Sequence, residues 1–228
     1  MSKPPPFVAF DPHKATRIYR VHLPRWRQKC VTYFVTFRLE DSLPAEILVQ
    51  WKMARRRWLE SHGISWDADG RWKLPFRQLR QEEQRSFQTR FSYAIQQHLD
   101  NGYGSCLLWQ PALRTFADDA FPYFHTSRFW LGDYVCMPNH CHALMTPIEP
   151  QDLEDILGSI RSFSARRINQ EIGRTGEALW QKEGYDHIVR DLEQLNAFRR
   201  YIAENPVRAK LREGEFTYRR ADWMDTWI

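Results

Sequence analysis

Long apolar runs are missing from this chain. Nowhere do roughly 18 uninterrupted apolar residues occur, the length a membrane-spanning helix needs, and Met1 to Pro6 carries no apolar segment of the secretory kind. A protein of the cytoplasm with no membrane partner is expected. Cysteine is scarce too: Cys30, Cys106, Cys136 and Cys141 contain no CxxC pair and are too few for a disulfide framework, so reduced thiols are the expectation. No internal repeat is visible. With 228 residues and 43% hydrophobic content, one substantial core can be buried but not two independent enzymatic domains.

Positive charge is present and unevenly spread. Residues 1–30 hold seven Lys and Arg against Asp11 alone, a local +6 that exceeds the +5 of the whole chain. A basic arm of this kind suits a polyanionic partner through phosphate contacts and counterion release. A solvated tail that aids solubility is the competing reading. The arm, residues 1–28, is Pro-rich and irregular in pattern, laid over the surface or partly disordered.

A central domain over 29–211 follows, and then a tail, 212–228. Val31, Tyr33, Val35, Phe37 and Leu39 alternate with Thr32, Phe34, Thr36 and Arg38, the period-two pattern of a strand. Ile47, Trp51, Ala54 and Trp58 then mark one face of a helix. Residues 62–104 read as a peripheral insertion ending in a helix around Ser86 to Leu99, with no function attached. Pro111 to His125 is weakly helical, with Pro122 breaking its last turn. Phe129 to Met137 and Cys141 to Thr146 form a hairpin around Pro138-Asn139. Leu153, Ile156, Leu157, Ile160, Phe163 and Ile168 line a further helix, and Ala178 to Val189 can supply another strand. Asp191 and Gln194 cap a last helix whose end is set by Pro206. The order predicts an α+β fold: a ferredoxin-like split βαβ core, with helices over one face of an antiparallel sheet, a helical insertion and a C-terminal helix.

Two short motifs could carry chemistry. In Met137-Pro138-Asn139-His140-Cys141-His142, residues two apart on a strand share a face, so His140 and His142 project together while Cys141 points to the core. Two imidazoles can hold one divalent ion if a third group completes the set. A structural zinc site using Cys136 and Cys141 is the competitor, and strand alternation argues against it because the thiol and the imidazoles diverge. The second motif is Tyr201-Ile202-Ala203-Glu204-Asn205-Pro206. Tyr201 and Asn205 are stacked one helical turn apart, so a phenol could attack a phosphodiester while the amide oxygen ligates the same ion. A free phenol has a pKa near 10 and needs help to ionise. The plain alternative makes Tyr201 an edge aromatic and Asn205 a helix-end residue.

These residues resemble the REP-associated branch of the single-tyrosine HUH transposases. The similarity extends over roughly residues 23 to 211 and includes Leu23-Pro24, Thr32 to Pro44, Gly104-Ser105-Cys106, Ser162 to Asn169, Trp180-Gln181-Lys182, Tyr185 to Asp191 and Tyr201 to Val207. The resemblance implies that Tyr201 is the nucleophile, that His140 and His142 bind Mg²⁺ or Mn²⁺, and that Asn205 is a third ligand. It further implies cleavage and rejoining of single-stranded DNA with hairpin structure through a 5′-phosphotyrosine, by a monomer or homodimer associated with the nucleoid. Arg161, Arg166, Arg167, Lys182 and Arg190 could line a groove for the DNA backbone, with Trp180 or Tyr185 stacking on bases; solvated arginines and core aromatics are the competing readings. Two rival functions stand beside this one: a non-catalytic hairpin-binding or regulatory protein that keeps the transposase fold, and a zinc-stabilised interaction domain.

Overall fold

A computed structural model describes all residues except 1–2, 12, 15–16, 21–23, 67–71, 183 and 228. Strands β1 (Arg17–Arg20) and β2 (Pro24–Arg27) pair antiparallel in the segment expected to be irregular. The alternation in Val31 to Leu39 yields β3 (Tyr33–Arg38). Three helices follow, α1 (Ala45–Ser61), α2 (Lys73–Gln78) and α3 (Gln81–Asp100). Beyond them come α4 (Pro111–Ala120), β4 (Phe129–Cys136), β5 (His140–Pro147), α5 (Leu153–Glu171), β6 (Tyr185–Ile188), α6 (Leu192–Arg208) and β7 (Thr217–Arg219).

The main sheet has five strands in the order β6-β3-β5-β4-β7, every neighbour antiparallel. Without β7 this is the order of a split βαβ core, as the element pattern predicts. Sequence alone places helices on one face, whereas both faces are covered. Val35, Phe37, Cys141, Ala143 and Met145 pack against Leu113 and Ala117 of α4 and Ile156 and Ile160 of α5. Phe34, Val135 and Leu144 point the other way, onto Leu195 and Ile202 of α6 and onto Met224. Period-two alternation therefore feeds two cores, because β3, β4 and β5 are interior to the layers and almost fully buried.

The insertion builds a third cluster of its own. Leu59, Ile64, Trp72, Phe87 and Phe91 are buried together, and the Trp51 indole donates to the Phe91 carbonyl at 2.9 Å, tying α1 to α3. The far end of α3 is then stitched to the β4–β5 turn. Asn139 Nδ2 donates to the carbonyls of Leu99 (3.2 Å) and Tyr103 (3.0 Å), and the Leu108 amide donates to the Pro138 carbonyl. Gly104 is needed here, since its φ is +89° and a Cβ would lie 2.5 Å from the Asp41 carbonyl oxygen.

Three local expectations are corrected. The strand expected over Ala178 to Val189 is only Tyr185–Ile188 plus a bridge from Trp180 to Leu39. Helix α6 does not stop at Pro206 but runs on to Arg208: so near the end, the missing proline N–H costs a single intrahelical bond, and the Ala209 and Leu211 amides still close on Asn205 and Pro206. The start of α6 is as expected, with Asp191 accepting from the Gln194 amide at 2.7 Å. The N-terminal segment is not a freely solvated arm either. Arg27 is buried and pairs with Glu154 and Asp186, each at 2.6 Å, and the Trp227 indole donates to the Pro5 carbonyl.

Candidate active site

His140 and His142 stand on β5, the middle strand, facing α6. His142 is opposite Thr36 and His140 opposite Arg38 in the β3–β5 register. Their ring centroids are 4.6 Å apart, and both side chains are fully withdrawn from water. Burial pushes the His140 imidazole down to about 3 and His142 well below its ordinary value, so both are neutral near pH 7.

The tautomer of His140 follows from its partners. Both Asn139 amide bonds to the α3 end are donated by Nδ2, which leaves its Oδ1 to face His140 Nδ1 at 2.7 Å. An oxygen there accepts, so Nδ1 carries the proton and Nε2 keeps its lone pair. His142 Nδ1 lies 2.9 Å from Thr36 Oγ1, an arrangement that serves the same tautomer. Neither Nε2 has a hydrogen-bond partner, although both are buried.

Helix α6 brings the second motif to these atoms. Tyr201, half-buried, packs its ring 5.2 Å from that of His142 and 6.0 Å from Phe34. One turn later Asn205 is fully buried: its Nδ2 donates to Asp100 at 3.3 Å, while its Oδ1 has no partner. The Asn205 side chain also lies close enough to His140 to favour protonation of that imidazole. Arg208, two turns from Tyr201 and ion-paired with Glu204, holds its guanidinium 5.4 Å from the phenol ring.

Three buried atoms without a hydrogen-bond partner, His140 Nε2, His142 Nε2 and Asn205 Oδ1, are the donor types that a divalent ion with nitrogen and oxygen ligands requires. The residues thus fit the ion implied by the resemblance. Among the described residues no group of three or more His, Cys, Asp and Glu side chains is arranged to hold a metal, so the amide oxygen is needed to complete the set. The thiol-based zinc alternative does not fit. Cys136 and Cys141 face each other across the hairpin on the α4 and α5 side, and burial keeps the Cys136 thiol protonated.

The surface residues named from sequence are not brought into one groove. Trp180 is buried against Phe37 with its indole donating to Ser164, so its ring serves the core and has no face left for a base. Arg161 folds onto the carbonyls of Leu157 and Lys182, and Arg167 lies over Phe116; with Arg166 they ride on α5, across the sheet from both histidines. Lys182 is exposed next to Gln181, whose amide bonds the Arg38 carbonyl at the His140 end. Arg190 lies beyond the opposite end, after Val189, whose amide bonds Thr32. Helical faces cannot be allocated to one side of a sheet before the strand order is known. Asp100, Thr36, Asn139 and Arg208 were not singled out from sequence. Asn139 was legible only as a turn residue, and Arg208 had a local signal in its spacing of seven from Tyr201 on one helix face.

No curated protein matches the chain. A solved structure described as a REP-associated tyrosine transposase bound to a REP hairpin is similar at 15% identity, covering 85% of this chain and 73% of that one, with a TM-score of 0.39. The family model described as IS200-like transposase matches residues 122–205, from the turn before β4 to Asn205. The segment that supplies both histidines, the tyrosine and the buried amide is thus the part of the chain that is similar to the IS200-like transposase model.

Proposed function

We propose that this chain cleaves and rejoins single-stranded DNA at hairpin sequences, with Tyr201 as nucleophile and a divalent ion, Mg²⁺ or Mn²⁺, held by His140, His142 and Asn205. The carrying observation is the convergence of an unattached pair of imidazole nitrogens, an amide oxygen and a tyrosine ring on one side of the sheet. The family match over 122–205 supports transposase chemistry, and the hairpin-bound relative suggests the shape of the substrate.

In this reading the Tyr201 phenol oxygen forms a bond to the scissile phosphorus as the bond from phosphorus to the 3′ oxygen breaks. The phenol proton leaves, a proton reaches the departing 3′ oxygen, and the 5′ phosphate remains linked to the tyrosine. Attack by a 3′ hydroxyl reverses these changes and rejoins a strand, so no nucleotide cofactor is consumed. A divalent ion, when bound, supplies Lewis-acid stabilisation of charge on the phosphate. Asn139 and Thr36 keep the imidazoles in one orientation, and Arg208 sets a positive charge beside the phenol.

The test is a denaturant-stable adduct between full-length protein and labelled single-stranded hairpins, formed in Mn²⁺. Tyr201→Phe, which removes only a hydroxyl, is expected to lower adduct yield at least about a thousandfold. His140→Ala and His142→Ala should do the same. Tight binding of hairpins by the wild type with no adduct in any metal would instead make this a non-catalytic hairpin-binding protein.

A further inference from the structure

Helices α1 and α3, which precede the matched residues 122–205, leave an open groove between them on the surface. Ala54, Arg57, Trp58 and Ser61 of α1 line one side and Arg90 of α3 the other, around a volume of about 280 Å³. Arg57 and Arg90 are exposed, and no acidic side chain lines the groove. Two carboxylates of the same helices are already taken: Glu60 pairs with Arg56 at 2.7 Å and Glu83 with Arg80 at 2.9 Å. Two guanidiniums that face one opening from different helices repel each other, and an anion between them reverses the sign of that energy. The groove also has an aromatic wall. Trp58 is half-buried, with the Phe87 ring 4.8 Å away and the His62 ring stacked on it at 3.7 Å. Arginines beside a tryptophan match a single strand of nucleic acid, whose phosphates take the guanidiniums while its bases lie against the ring. An acidic peptide would meet the arginines and leave the indole without a stacking partner.

The groove is tied to the candidate active site by α3 itself. Arg90 and Asp100 are ten residues apart in that helix, about 15 Å along its axis. Asp100 accepts from Asn205 Nδ2 at 3.3 Å, and the Leu99 carbonyl accepts from Asn139 Nδ2 at 3.2 Å, so the helix end is held against the site. That length corresponds to about four or five stacked nucleotides at about 3.4 Å each. We propose that the groove between α1 and α3 binds single-stranded DNA through Arg57, Arg90 and the Trp58 ring, a second contact that fixes the strand away from the point of cleavage. Its place as a second contact rests on reading Tyr201 as the DNA-cleaving nucleophile; the binding of a single strand there does not.

The experiment titrates full-length protein, without metal, into labelled oligothymidylate of about 20 nucleotides and reads fluorescence anisotropy over a range of salt. Arg57→Gln/Arg90→Gln removes both charges and keeps two good helix formers, so it should melt with wild type. Its affinity is expected to fall at least about tenfold at low salt, and the slope of log affinity against log salt to shrink by about 1.4, the share of two phosphate contacts. Lys52→Gln/Arg56→Gln removes the same charge from α1 outside the groove and should bind like wild type. Equal losses in the two double variants would reduce the effect to net charge and overturn the proposal. So would a groove variant that binds like wild type, or a wild type that does not bind. The adduct assay on hairpins separates the two readings. Adduct formation with unchanged oligothymidylate binding in the groove variant sinks the groove and spares the catalytic reading, whereas groove-dependent binding with no adduct in any metal does the reverse.

Discussion

Thr36 and Asn139 occupy the Nδ1 sides of the two imidazoles, and through that position they govern what the Nε2 sides can do. Thr36→Val keeps the volume and removes the oxygen. It is expected to lower Mn²⁺ affinity about tenfold with the far-ultraviolet spectrum unchanged; unaltered affinity in a Mn²⁺ titration of metal-stripped protein would show that His142 is held by something else. The four residues named from sequence for the chemistry belong to two local spacings, two apart on a strand and four apart on a helix, which is why they could be read. Thr36 joins His142 across 106 positions and Asp100 joins Asn205 across 105, so these contacts exist only once β3 has paired with β5 and α3 has been drawn to the turn. Asn139 was visible as a turn residue, but not as the group that fixes a tautomer.

At the scale of elements, α6 is anchored to β4 by one guanidinium. Arg199 donates to Asp133 at 2.9 and 3.3 Å inside the protein and to Asp225 at 2.7 Å, and Asp133 also accepts from the Ala221 amide. Arg199→Met leaves Asp133 buried without its cation. A loss of about 3–5 kcal/mol is expected from urea unfolding, and a loss under about 1 kcal/mol would mean that the carboxylate finds another partner. Strand β4 has its own weak point: its register shifts between Leu131 and Tyr134, and a Cβ on Gly132 would meet Met224 Sδ at 2.6 Å and Leu144 Cβ at 2.8 Å. Gly132→Ala should cost about 1–3 kcal/mol by the same measurement, because Leu144 Cβ is fixed to its own backbone even where the Met224 side chain can shift. Apolar periodicity revealed α5 and α6 with nearly their observed extents. It could not reveal the ion pair, since an arginine within an apolar stripe reads as solvated until its partner strand is known.

For the molecule as a whole, histidines that folding keeps neutral are expected to make stability fall at acid pH. His187 is enclosed by Tyr185, Phe198 and Gln194, and burial lowers it to about 4 from an ordinary 6.5, with Arg190 adding to the effect. Between those values the unfolded chain binds a proton that the folded chain refuses. Its contribution is thus complete above about pH 6.5 and declines as pH falls toward 4, by up to about 3 kcal/mol. Urea midpoints should drop over that window, and less steeply in His187→Gln; equal slopes in the two proteins would assign the decline to other groups. The strand and helix order foretold the split βαβ plan. The second covered face was not foretold, because alternation shows that a strand has two sides and not what lies on each.

Strand β5 is laced to neighbours along both edges, whereas α6 lies across the sheet and carries Tyr201 and Asn205 on a single rod. Any tilt of that rod would withdraw phenol and amide oxygen from the imidazoles in one movement. In the proposed mechanism, grip on the cation and readiness to attack would then rise and fall together, and a strand end held on Tyr201 would travel with the helix while the histidines stayed in place.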